Sequence, residues 1–436
     1  MVLKEPWRRY AEIWWNGIKS LPETTSIHGF KFIADSQRHW VERIFWLIVV
    51  VLSWYGSSLL IAAQYDAFLN NPISFVVETT YKDWNTHFPS VVICESDNTK
   101  HVEEVSDRLF GEEHDFNMEE VLKEISFFKG ITYYTSEFCN LNPLPQCMKT
   151  NLTYYANLVR STCEDIVANC SWNDSSFECC KYFRPMDTEL GTCFAINTLQ
   201  GREKNAPTLE MISNRTTGPG AITFDVFVTA NIYVLKEEEV PTLTTIGSDV
   251  LTVAIVFRRY ITLRDIANDA EARKIAPEKR KCRYMDENFL EVYPYYSYTA
   301  CTVQCRKDAQ LRLCNCTTYF MPNVPEQMKC NVSGIICLNS HVHELSVLKA
   351  SWSSRDGLSC NCLPSCTEAE ITITKDFKLV TSNNYASVHI ELAVLPSERY
   401  RRNVVRGVLD LVDQSTTGIF QWRRKNILFF SYLKHN

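Results

Sequence analysis

Cysteine is the residue type whose spacing carries the most chemistry in this chain. There are 18, an even number, and all fall between Cys94 and Cys366. Cys301 and Cys305 stand at i, i+4, which puts both thiols on one face of a helix. Two C-x-C pairs, Cys314/Cys316 and Cys360/Cys362, present neighbouring thiols to different partners. Zinc sites need reduced thiolates and favour C-x2-4-C spacing. A dense window between cysteine-free flanks suits stacked cross-links made in an oxidising compartment. Catalytic constellations are missing. His341-Val342-His343-Glu344 begins like a zinc-protease helix, but position 347 is Val, so the second histidine ligand is absent. Neither G-x-S-x-G nor a P-loop occurs. The expected chemistry is cross-linking rather than catalysis, with no cofactor and no metal. Asn151, Asn169, Asn173, Asn214, Asn315 and Asn331 each open an N-x-S/T glycosylation triplet.

The elements that must position these residues begin with a membrane anchor. The chain has 436 residues, 45% hydrophobic and 22% charged, with net charge −6. That composition excludes a disordered tail, a polytopic transporter and a basic nucleic-acid-binding surface. Residues 44–65 carry no charge, and a helix of that length reaches roughly 33 Å, enough to cross a ~30 Å hydrocarbon core. Lys4, Arg8, Arg9, Lys19, Lys31, Arg38 and Arg43 precede it, and only Lys82 follows closely. The positive-inside rule then places the N-terminus in the cytoplasm and the cysteine-rich block outside a plasma membrane, with membrane lipid as a partner. The glycosylation triplets and the cysteines all lie on that outer side.

Beyond the span, residues 88–94, 221–234, 251–260 and 386–395 read as strands, and 102–125 and 300–313 as helices. The fold class is α+β, with strands drawn from distant parts of the chain. The run Lys236-Glu237-Glu238-Glu239 reads as a solvated loop, with proton or cation sensing as the alternative.

Four segments, in order, resemble the epithelial sodium channel/degenerin family, most closely its insect pickpocket branch. Ser26-Ile27-His28-Gly29 is similar to the family's cytoplasmic His-Gly gating motif, and FPSVVIC (88–94) to its first strand after the membrane helix. Residues 191–197 (GTCFAIN) resemble its G-x-C-x-x-x-N segment. YSYTAC-x3-C at 296–305, with the later cysteines through 366, resembles its thumb. The resemblance implies a palm sheet, a finger region and a helical thumb at about 282–366, within an extracellular domain of residues 66–403. It implies a cytoplasmic segment at 1–43 and gating roles for His28 and Gly29. Its implied bridges are Cys94–Cys193, Cys170 with Cys179 or Cys180, Cys282–Cys366, Cys301–Cys362, Cys305–Cys360, Cys314–Cys337 and Cys316–Cys330. Cys139, Cys147, Cys163 and one of Cys179/Cys180 are left for two further bridges, with Cys139–Cys147 a natural short loop. Family members assemble as trimers, homomeric or heteromeric, that pass sodium ions and are blocked by amiloride.

One departure stands out at the end. The family's pore-lining second helix is expected to start near residues 402–412. Residues 404–436 instead form an aberrant tail, where charge-free runs of nine (414–422) and eight (426–433) residues flank Arg423, Arg424 and Lys425. Neither run reaches the ~20 residues a span needs. The sequence-based expectation is a subunit unable to conduct alone. A single-pass type II receptor or adhesion ectodomain, or a regulatory truncated subunit, is the alternative.

Overall fold

The computed structural model describes residues 38–404 except 71–72, 80–83, 142, 202–206, 246, 368 and 397, together with residues 32–33. His28, Gly29 and the tail beyond residue 404 lie outside the described residues. The chain divides into two units: Met1–Ser74 with Val404–Asn436, and Phe75–Asn403.

In the first unit a single helix, α1 (Trp40–Asn70), covers the apolar run. Its stretch Trp40–Asp66, with mean hydropathy 2.1, is long and apolar enough to cross a membrane. Trp40, Phe45, Leu52, Trp54 and Leu60 are each more than half exposed around it. A helix apolar on every side finds its complement in lipid rather than in a one-sided protein core. The helix starts four residues before the charge-free run, and Arg38 pairs with Glu42 at 3.2 Å at its entry.

The second unit is built on two larger sheets and a small ribbon. The eight-stranded sheet runs β1 (Ile73–Glu78), β15 (Arg399–Val404), β12 (Ile255–Asn268), β14 (Ala386–Leu392), β9 (Ala221–Val226), β4 (Val167–Trp172) and β5 (Ser175–Ser176), with β13 (Glu370–Val380) also paired to β12. β12 is long enough to serve three partners. Its first part pairs antiparallel with β13 and parallel with β14, and its end pairs parallel with β15. Strict alternation in β14 buries Ala386, Val388, Ile390 and Leu392 against Ile222, Phe224 and Val226 of β9 and Phe257 and Ile261 of β12. Each such large side chain contributes about 1.5–3 kcal/mol of burial.

The five-stranded sheet is ordered β11 (Asp249–Leu251), β10 (Thr229–Leu235), β3 (Ser90–Asp97), β7 (Gly191–Ile196) and β6 (Arg184–Thr188). β3 is buried at nearly every position, as a central strand covered on both faces requires. β2 (Thr86–His87) and β8 (Ile212–Ser213) form the ribbon.

Three helices, α2 (Thr99–Phe110), α3 (Phe116–Ser126) and α4 (Leu152–Val159), share one core. Val102, Val105, Met118, Val121, Leu122, Ile125, Leu152, Ala156 and Val159 meet Tyr319, Phe320, Ile335 and Leu338 there. α5 (Tyr298–Cys314) is capped by Ser297, whose side chain accepts from the Ala300 amide. α6 (Val332–Ser340) is capped by Asn331 in the same way, onto Gly334.

Three sequence-based boundaries change. The helical run 102–125 is two helices, because Gly111 turns the chain at φ +94° and Asp115 caps a new start through the Asn117 amide. The run 221–234 is two strands in different sheets, β9 in the larger and β10 in the smaller, with the break at 227–228. The strand expected at 251–260 is also divided: Leu251 ends β11, and β12 begins at Ile255, after Ala254 at φ +66°, and continues to Asn268.

Candidate functional site

The described cysteines form nine disulfides and none is free. Five of them brace α5 and its surroundings. Cys301 and Cys305, one turn apart on α5, join Cys362 and Cys360, and below them Cys282 joins Cys366. Numbers rise along the helix as they fall along 366–360, so this segment is an antiparallel strap bolted to one helix face. Beyond the helix end, Cys314 ties to Cys337 on α6, and Cys316 to Cys330. The remaining bridges are Cys94–Cys193 between β3 and β7, Cys170–Cys179, Cys163–Cys180 and Cys139–Cys147. Only one compact trio among the described residues has metal-ligand types: Cys314, Cys337 and His341. Its two sulfurs are joined to each other, so they are not thiolates and the trio does not fit a metal.

Where α3, α4 and the five-stranded sheet meet, the guanidinium of Arg160 fills the junction. It donates to the carbonyls of Ser126 and Leu190 at 3.0 Å, Thr192 at 3.1 Å and Glu95 at 3.5 Å. The rings of Phe127 and Phe320 lie 5.6 and 5.4 Å from its centre. Burial lowers the Arg160 pKa, opposed by the charges of Glu95 and Tyr319. The buried Glu95 carboxylate accepts from the Ser161 amide at 2.9 Å, the Ser161 hydroxyl at 2.6 Å and Asn98 at 3.0 Å.

That junction explains the 191–197 motif residue by residue. Gly191 sits at φ +94°, and a Cβ there would stand 2.6 Å from Arg160 Nη1. Cys193 makes the bridge to β3. Asn197 adopts a left-handed turn at φ +58°, and its amide donates to the Phe88 carbonyl. The motif was visible in the sequence. Arg160 was not, since an arginine carries no mark of being buried.

A second buried charge links α5 to the β6–β7 turn. Arg306 and Glu189, each side chain 1% exposed, form an ion pair, and Arg306 Nε donates to the Leu345 carbonyl at 2.9 Å. Close by, the Tyr293 hydroxyl donates to the Asp187 carbonyl at 3.0 Å, and burial pushes its pKa well up. These residues also carried no signal in the sequence.

The acidic run 236–239 is not a solvated loop. Glu238 is buried and accepts from Ser365 at 3.2 Å and Thr367 at 2.8 Å. Glu237 lies 3.6 Å from His87. Burial holds the Glu237 carboxyl above the usual range, against the pull of His87 and Lys236. The turn after β10 packs against residues 365–367, so its charges face inward. Among the glycosylation triplets, Asn151, Asn169, Asn173, Asn315 and Asn331 are exposed and Asn214 is half-buried.

A family model described as "Amiloride-sensitive sodium channel" matches residues 21–418. The chain is similar to the sodium channel protein Nach of Drosophila ananassae, 21% identical over 364 residues that cover 78% of this chain and 69% of that protein. It is also similar to Pickpocket protein 28 of Drosophila melanogaster, 24% identical over 427 residues, 83% of this chain and 64% of the relative. The sodium channel protein Nach of Drosophila melanogaster is 20% identical over 435 residues, 89% of this chain and 81% of its own length.

Proposed function

The chain belongs to the amiloride-sensitive sodium channel family, and on that premise we propose that it is one subunit of a sodium-selective, amiloride-sensitive cation channel opened by an extracellular stimulus. The observation that carries the reading is the family match across nearly the whole chain. In this reading α1 is the first membrane helix, residues 1–43 are cytoplasmic, and His28 and Gly29 act in gating. Residues 66–403 are extracellular, glycosylated at the six asparagine triplets, with a palm, a finger and a thumb at about 282–366. Three such subunits, alike or related, enclose the sodium path.

The strapped α5 supports the gating part. A helix cross-linked along one face and at its end bends little, so a displacement at one end reaches the other as rigid-body movement. The buried Arg306–Glu189 pair ties that lever to the β6–β7 turn, and the Arg160 junction ties the same sheet to α3 and α4.

The test is co-expression with related subunits in a cell lacking such currents. This chain is expected to change the size or kinetics of the amiloride-blocked inward current. His28→Ala in this chain is expected to alter open probability with surface number unchanged. Currents identical with and without the chain, although it reaches the surface, contradict the proposal.

A further inference from the structure

Arg402 lies near the end of β15, buried at the meeting point of four segments. Its Nη1 donates to Asn268 Oδ1 at 3.1 Å and to the Cys366 carbonyl at 3.4 Å, and stands 2.5 Å from Cys282 Sγ. Its guanidinium carbon lies 5.0 Å from the centre of the Phe75 ring on β1. The main chain adds to this, because the Asp269 amide donates to the Arg402 carbonyl at 3.0 Å and Arg402 is in register with Asn268. Asn268 closes the circuit by donating to the same Cys366 carbonyl at 2.9 Å. One side chain therefore touches the first strand of its unit, the last described strand, the end of β12 and the disulfide at the base of the strap.

We propose that Arg402 is a positioning residue that makes the base of the cross-linked thumb and the strands at both ends of this unit move as one body. The physical ground is the planar, permanently charged guanidinium. One nitrogen, Nη1, reaches acceptors on separate segments while the group lies over the Phe75 ring, a combination that a lysine ammonium on a flexible stem does not reproduce. The bonds are charge-assisted and shielded from water, so they resist exchange with solvent. Along the chain, β1 begins three residues after α1 and β15 ends where residues 405–436 begin. The consequence for gating rests on the channel reading; the mechanical coupling does not.

The experiment is hydrogen exchange on the full chain in lipid nanodiscs. Arg402→Met is expected to raise exchange about tenfold or more at residues 75–78, 282–284 and 366–367 together, with α5 and the five-stranded sheet unchanged. Asn268→Ala cuts the same link from its other side and is expected to give the same three segments. Arg401→Met, which removes an exposed 2.8 Å pair with Glu78, is expected to leave residues 282–284 as in the wild type. A rise confined to residues 399–403 in the first two variants, or the full pattern from Arg401→Met, overturns the proposal. Where Arg402→Met does not fold, Arg402→Lys is read in its place, and wild-type protection at 282–284 in that variant is likewise contrary. A coupled exchange pattern in a protein that changes no sodium current would sink the channel reading and leave the coupling intact.

Discussion

The Arg160–Gly191 contact gives the sharpest energetic prediction. Gly191→Ala adds one methyl group at φ +94°, at a point 2.6 Å from Arg160 Nη1. Left-handed strain at a non-glycine residue costs about 1–3 kcal/mol. The displaced guanidinium must also lengthen or lose some of its bonds to Ser126, Leu190 and Thr192, all within 3.1 Å. A loss of ~2–4 kcal/mol is expected for Gly191→Ala, and a similar one for Arg160→Met, which takes this donor from four carbonyls. The double variant separates strain from clash. Without the guanidinium the new methyl group has nothing to strike, so the double variant should be more stable than the sum of the singles by ~1 kcal/mol or more. Thermal unfolding in nanodiscs reads this as a midpoint difference of roughly 1–2 °C per kcal/mol for a unit of this size. Losses that add to within ~0.5 kcal/mol would show that the glycine is required by its backbone angle alone and that the contact carries nothing.

Three further outcomes follow from the same geometry. Burial raises the Glu237 carboxyl pKa, so the folded state holds this proton more tightly than the unfolded state. That stability is fully present below the unfolded value and is lost as pH rises through the folded one. Glu237→Gln should therefore leave the unfolding midpoint unchanged near pH 4 and raise it near pH 7; an equal shift at both would refute the assignment. For the Arg306–Glu189 pair, Glu189→Gln strands a buried charge and should cost ~3–5 kcal/mol, whereas Arg306→Met with Glu189→Leu recovers most of it. A double variant as unstable as the single is the contrary result. Among the disulfides, the residue separations are 84 for Cys282–Cys366 and 8 for Cys139–Cys147. Loop entropy then predicts that removing the first costs about 2 kcal/mol more than removing the second, and equal losses would point to strain or local packing instead.

Sequence and structure agree best where a pattern repeats. Ile222, Phe224 and Val226, or Val388, Ile390 and Leu392, announce their strands by alternation, and 44–65 announces a span by an unbroken charge-free run. Partner choice is not written that way. Residues 221–234 look like one strand because both halves alternate, yet β9 and β10 serve different sheets, and only tertiary pairing decides that. Gly111 could have divided the first helical run, since glycine after an amphipathic stretch is a stop signal. The junction residues Arg160, Arg306 and Arg402 were beyond reach. Each is a charged residue of an ordinary type, and its burial follows from carbonyls and carboxylates supplied by segments far away in the chain. For the same reason Glu238 reads as surface until Ser365 and Thr367 are brought to it.

The central claim, a subunit of a sodium-selective channel, is tested most directly by the reversal potential of the amiloride-blocked current that depends on this chain. With related subunits present, a tenfold reduction of external sodium should move that potential by about 59 mV, the value for a singly charged ion. A reversal potential that does not follow sodium, or a current that is the same when the chain is left out, contradicts the account.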